Sequence, residues 1–139
     1  NPSPAKPVEN FYAESIMAEP VGGLILQQKW EDLTKYIFEA VLRNMPKADR
    51  FTLGEDIRKI IWEVEGILVQ VSLRHGSRWQ QLLAVDVRAK TLLAMVRIGM
   101  EIGSIPQKKY EQVSMKLVEI GKIIGGLQKS QAAGRGAVR

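Results

Sequence analysis

Four runs of apolar residues, recurring every three or four positions and separated by proline or glycine stops, constrain this chain more than any other feature. That spacing is the period of a helix with one buried face. In the first run Leu26, Trp30, Leu33, Ile37 and Val41 predict a helix over Ile25–Arg43, which Pro46 stops. The second opens at Thr52, an N-cap candidate, with Glu55 three residues on to complete a capping box and Asp56 in the first turn, where the helix dipole favours acids. It continues through Leu53, Ile57, Ile60, Ile61, Val64, Leu68 and Val71 to a stop at Gly76. The third spans Arg78 to Ile102 and closes at Gly103. The fourth begins with Ser104 and Gln107 as a second capping box, with Pro106 in its first turn. Its apolar residues Tyr110, Val113, Leu117, Ile120, Ile124 and Leu127 follow a heptad. No segment alternates with period two, so no sheet is expected. Short connections force antiparallel neighbours, and the expected fold is all-α: an up-down-up-down four-helix bundle.

The 139 residues suit one domain. Residues 1–23, with four prolines and the Gly22-Gly23 pair, are expected to form a flexible N-terminal tail from which Phe11, Tyr12 and Ile16 can dock. Residues 24–130 form the bundle, and residues 131–139, QAAGRGAVR, a flexible basic C-terminal tail. The absence of cysteine removes disulfides, thiolate metal sites and thiol nucleophiles. The single histidine removes most zinc and Ser–His chemistry, which need several imidazole or thiolate groups. His75 precedes Gly76 and suits a helix C-terminus. Glu63 and Glu65 cannot face each other on a helix, and Asp86 with Lys90 forms an i,i+4 ion pair. No HExxH, GxSxG or acidic metal box occurs, and GKIIGG lacks the spacing of a phosphate loop. The expectation is a non-enzyme with neither cofactor nor metal. No stretch reaches the ~20 apolar residues of a membrane span, and NPSPAKPVEN has no apolar core to act as a signal peptide, so a cytoplasmic location is expected.

The apolar residues exceed what one bundle can hide. Opposite the main stripe of the second helix lie Trp62, Gly66, Val69 and Leu73. The third helix carries Leu82, Val85, Ala89, Leu92 and Val96 on one side and Leu83, Val87, Ala94 and Ile98 on another. A helix in a monomeric bundle needs one apolar face. A second, periodic one predicts a homo-oligomer with Trp62, Val69, Leu73, Leu83, Val87 and Ile98 at its interface. The small residues Ser114, Gly121 and Gly125 on the fourth helix, with Gly126, point to close approach of another backbone.

The net charge of +5 is polarised along the chain. Residues 1–32 hold two bases against five acids, residues 33–73 balance, and residues 74–139 hold twelve bases against four acids. The basic half predicts a polyanion-binding surface of Arg74, Arg78, Arg88, Lys108, Lys109, Lys116, Lys122 and Lys129. Lys108, Lys122 and Lys129 share one heptad position opposite the apolar stripe. Such groups suit phosphate contacts, which carry affinity and little sequence information. Trp79 is the one candidate for stacking on a base, although core or interface burial suits it as well.

Two stretches carry a family likeness. One is the connection Met45-Pro46-Lys47-Ala48-Asp49-Arg50-Phe51-Thr52-Leu53-Gly54-Glu55-Asp56-Ile57. The other is Tyr110 to Lys129, with Glu119-Ile120-Gly121-Lys122-Ile123-Ile124-Gly125-Gly126-Leu127. Together they resemble the accessory variability determinant (Avd) proteins of diversity-generating retroelements, relatives of the bundle proteins encoded in intervening sequences of bacterial 23S ribosomal RNA genes. The likeness covers residues 24–130; Leu127 departs from it, standing where many relatives have tryptophan. The resemblance implies a homopentameric barrel of bundles, bacterial or phage-encoded. It also implies a partner reverse transcriptase, binding of template RNA or DNA, and support for mutagenic cDNA synthesis. Two other readings stay open: a ribosomal RNA intervening-sequence protein, and a protein–protein scaffold that binds no nucleic acid.

Overall fold

The computed structural model describes residues 21–138, with side chains over residues 25–132. The expectations placed on residues 1–20 lie outside the described residues. Four long helices account for the described fold. Helix α1 is Val21–Tyr36 and continues through a π turn, Ile37–Val41, and a 3₁₀ turn, Leu42–Asn44. A single-turn helix α2, Lys47–Arg50, sits in the connection. Helices α3 (Leu53–Ser72), α4 (Arg78–Glu101) and α5 (Gln107–Val138) follow, and no strand occurs among the described residues. The main contacts join α1 to α3, α3 to α4, α4 to α5 and α5 back to α1. Neighbours in the chain are therefore neighbours in space, as the short connections require.

The core is the set of stripes read from the sequence. Leu26, Trp30, Leu33 and Ile37 of the first helical run meet Ile57, Ile61, Val64 and Leu68 of α3, Leu82, Val85, Leu92 and Val96 of α4, and Val113, Leu117, Ile120 and Ile124 of α5, all buried. Trp30 is 0% exposed, and its indole N–H donates to the Ile61 carbonyl at 3.3 Å, so its one polar atom is satisfied inside the core. Tyr110 and Leu127 pack against this core half-buried. At the end of the first run the widened π turn and the tightened 3₁₀ turn change the pitch and bring Val41, Leu42 and Met45 all inside. The Ala40 carbonyl there accepts both the Asn44 side-chain N–H (3.1 Å) and the Lys109 ammonium (2.6 Å).

Helix ends differ from the sequence reading in four places. First, Thr52 stands at the N-cap of α3 but makes no capping bond. Its hydroxyl donates back to Ala48 O (3.1 Å) and Asp49 O (3.3 Å), because α2 leaves those carbonyls within reach. Glu55 pairs instead with Arg58 at 2.8 Å. Thr52→Ala should therefore cost less than about 0.5 kcal/mol in urea denaturation, below the ~1 kcal/mol of a working N-cap. Second, Ser104 is buried and caps nothing, and Pro106 precedes α5 rather than lying in its first turn. Third, α5 runs through Gln131 to Val138, where a flexible tail was expected from residue 131. Gln131 and Ala132 are adequate helix formers, and extending an established helix costs far less than starting one. At the other end Val21, Gly22 and Gly23 belong to α1, not to a tail.

The fourth difference is the end of α3, which stops at Ser72, before Gly76. Arg74 N–H bonds Val71 O (3.1 Å) and His75 N–H bonds Gln70 O (3.0 Å), the paired bonds of a Schellman cap. The end of α4 repeats the motif with Gly103 N–H on Met100 O (3.1 Å) and Ser104 N–H on Gly99 O (2.8 Å). The residue that must turn left-handed is Gly103 (φ +82°) in one motif and Arg74 (φ +56°) in the other. A side chain there costs about 1–2 kcal/mol that glycine avoids.

Candidate nucleic-acid interface

The antiparallel order sends the basic residues to different parts of the bundle. Arg74 and Arg78 flank the α3–α4 turn, and the far part of α5 passes the same end, since Gln131 lines one cleft with them. Lys108 and Lys109 open α5 at the opposite end; 21 residues of helix put Lys108 about 30 Å from Lys129 along the axis. Lys122 lies between and rims a groove separating α4 from α5. Seven of the eight bases therefore track the length of α5 and one end of the bundle, while Arg88 stands midway along α4 on the side of α3.

Five of the eight are engaged within the chain, Arg74 and Arg78 among them. Lys109 is half-buried and holds Ala40 O, stapling the start of α5 to the end of the first helical run. Arg88 bonds Glu63 across α3 and α4 at 3.2 Å and also donates to Ala84 O. The Lys116 ammonium sits 5.6 Å from the centre of the Tyr36 ring, a cation–π distance. Lys108, Lys122 and Lys129 are exposed and hold no ion pair among the described residues. Arg74 is exposed and Arg78 half-buried. Trp79 is half-buried, so its full face is not open to a base.

The apolar surplus is on the surface. Trp62, Leu73, Leu83, Val87 and Ile98 are exposed, and Val69 is half-buried. Trp62 is 54% exposed although it meets Phe38 edge-on at 5.5 Å. Met115 and Val118 on α5 are also exposed and were missed in the sequence. The signal was present: Met115 occupies the heptad position shared by Lys108, Lys122 and Lys129. A Cβ added at Gly121, Gly125 or Gly126 would meet nothing within 4 Å, so the expected close approach of a backbone does not come from within this chain. Gly121 instead opens the α4–α5 groove, about 280 Å³, floored by Ala89, Leu93, Leu117 and Val118.

The sequence also gave no sign of a carboxyl pair between α1 and α3. Glu65 bonds Glu31, and its pKa is raised from the ordinary 4.5 to about 7. Burial is the main cause, followed by the hydrogen bond and charge of Glu31, while Gln27 opposes the shift. Between these values the folded protein holds a proton that the unfolded chain releases. Stability is therefore greatest below pH 4.5 as far as this group is concerned and falls as pH rises through 7. Glu65→Gln should flatten that slope in chemical denaturation, with a gain on the order of 1 kcal/mol above pH 7 after allowance for solvent screening.

Among the described residues no His, Cys, Asp and Glu group has the makings of a metal site, and no helix is long and apolar enough to cross a membrane. The class that emerges is an all-helical four-helix bundle with a cationic outer face and exposed apolar stripes. The bAvd-like family model matches residues 24–131, and the chain belongs to that family. No curated protein and no solved structure matches it.

Proposed function

We propose that this chain is a non-enzymatic accessory of a diversity-generating retroelement that assembles with copies of itself and binds the reverse transcriptase and template RNA or cDNA. Family membership supports the accessory role. The observation that carries the nucleic-acid part is the exposure of Arg74, Lys108, Lys122 and Lys129 along α5 and one end of the bundle, clear of the core. Such cations displace condensed counterions from a phosphate backbone, and they read its shape rather than its bases. The exposed Trp62, Leu73, Leu83, Val87 and Ile98 supply the self-association surface, and a closed ring, with five copies as the family likeness suggests, would leave none of them wet. The bacterial cytoplasm is the compartment such a complex occupies.

Co-purification with a co-expressed retroelement reverse transcriptase, combined with a salt titration of RNA and DNA binding, tests the proposal. The expected result is a stable complex and an affinity that falls linearly on a log–log plot against salt. Binding to a protein partner that survives nuclease, with no retention of RNA or DNA at low salt, would favour a scaffold instead.

A further inference from the structure

The groove of about 280 Å³ between α4 and α5 has Leu93, Leu117 and Val118 on its floor and Lys122 at its rim. A second hollow, of about 520 Å³, continues it over Ser114, Met115 and Glu119 of α5 and shares Val118 and Lys122 with it. Gly126, Gly125 and Gly121 step from the outer face of α5 round to the groove, and a Cβ on any of them would meet nothing within 4 Å. The helix is bare along that path, although glycine weakens a helix interior. Charge at the groove is also unbalanced. Asp86 pairs with Lys90 at 2.6 Å and Glu119 with Lys29 at 3.1 Å, while Lys122 holds no ion pair among the described residues. An apolar floor, a bare approach and an ammonium at the rim fit a short segment that carries apolar side chains and carboxylates.

The chain supplies such a segment just before α1. Residues 9–19 hold Phe11, Tyr12, Ile16 and Met17 together with Glu9, Glu14 and Glu19, and no base. Their attachment point is near the groove. Lys29 pairs with Glu119, and Lys109 bonds the Ala40 carbonyl, so α1 and α5 run antiparallel and Val21 stands about level with Leu127. Gly121 lies six residues back along α5, ~9 Å of axis, and on the far side of a helix ~10 Å across. The nine residues from Tyr12 to Pro20 can span ~30 Å, which is enough to cross. We infer that residues 9–19 seat in the α4–α5 groove of their own chain, apolar side chains on the Leu93, Leu117 and Val118 floor and glutamates beside Lys122. A tether this short sets an effective concentration of roughly millimolar, so a contact too weak to hold a free peptide holds this one.

The chain has no cysteine, so Ser15→Cys gives one attachment point for a nitroxide. The test is methyl NMR on the full chain, isotopically labelled and carrying the nitroxide, co-refolded with an excess of unlabelled chain that carries none. The methyl signals of Leu93, Leu117 and Val118 should lose intensity, while those of Val69 and Leu73 on α3 keep theirs. Gly121→Leu, which fills the groove from α5, should restore the lost signals. It should leave the fold intact, since leucine is a better helix former than glycine and its Cβ meets no atom. Phe11→Ser with Ile16→Ser, which alters only the segment, should restore them too. No loss in the groove, an equal loss on α3, or a loss that either variant leaves unchanged would overturn the inference. A loss that appears only when the nitroxide is moved to the unlabelled chains would also overturn it, because the seat would then be the groove of a neighbouring copy.

Discussion

Reversing Arg74, Lys108, Lys122 and Lys129 to glutamate is expected to weaken RNA or DNA binding by at least about a thousand-fold at 0.1 M salt. Each phosphate contact contributes ~0.7–0.9 to the slope of log K against log salt, so losing four at 0.1 M removes about three decades, or ~4 kcal/mol. Repulsion by the new carboxylates adds to that loss. The four side chains stand on the surface, away from the core, so far-ultraviolet circular dichroism and the urea midpoint should change little. The salt slope is the sharper readout, since it should fall by roughly three units. A folded quadruple variant with an unchanged slope would show that the polyanion lies elsewhere. Lys109 is left out because it has a structural task, and its loss would remove the bond to the Ala40 carbonyl that ties the start of α5 to the end of the first helical run.

The second large effect concerns self-association. Val87→Asp with Ile98→Asp, both on the outer face of α4, is expected to convert an oligomer into monomers at micromolar concentration in light scattering. A carboxylate enclosed in an apolar interface without a partner costs several kcal/mol, and a ring repeats that cost at every junction. In the monomer the same positions are 54% and 49% exposed, so the substitutions should leave the fold intact. A wild-type chain that is monomeric at those concentrations would remove the interface assignment, and Trp62 and Leu73 would then need another partner. The two predictions are separable, because Val87 and Ile98 lie on α4 and none of the four reversed cations does.

Much of this molecule was legible before its structure. The core residues of all four long helices could be named because a 3.6-residue period is a local property of the chain, and each stripe must be buried against something. Helix ends were less legible, because they depend on atoms from neighbouring turns. Thr52 looks like a cap until the carbonyls of Ala48 and Asp49 are seen behind it. Gly76 looks like the stop of α3 until Arg74 is found to have turned left-handed two residues earlier. The basic surface was legible as a set of charges and not as a site. No sequence pattern separates Lys109, which holds a carbonyl, from its neighbour Lys108, which faces solvent.

The sequence by itself determined the class of fold, the identity of the core and the polarity of the charge, all of which follow from spacing and sign along one dimension. Only the tertiary structure decided which charges are spent on internal bonds and which remain exposed. It also brought Gln131 to Arg74 and Arg78, and set Glu65 against Glu31. These are meetings of residues distant in the chain, set by how helices pack side by side, and packing register is not written in the periodicity of any one helix.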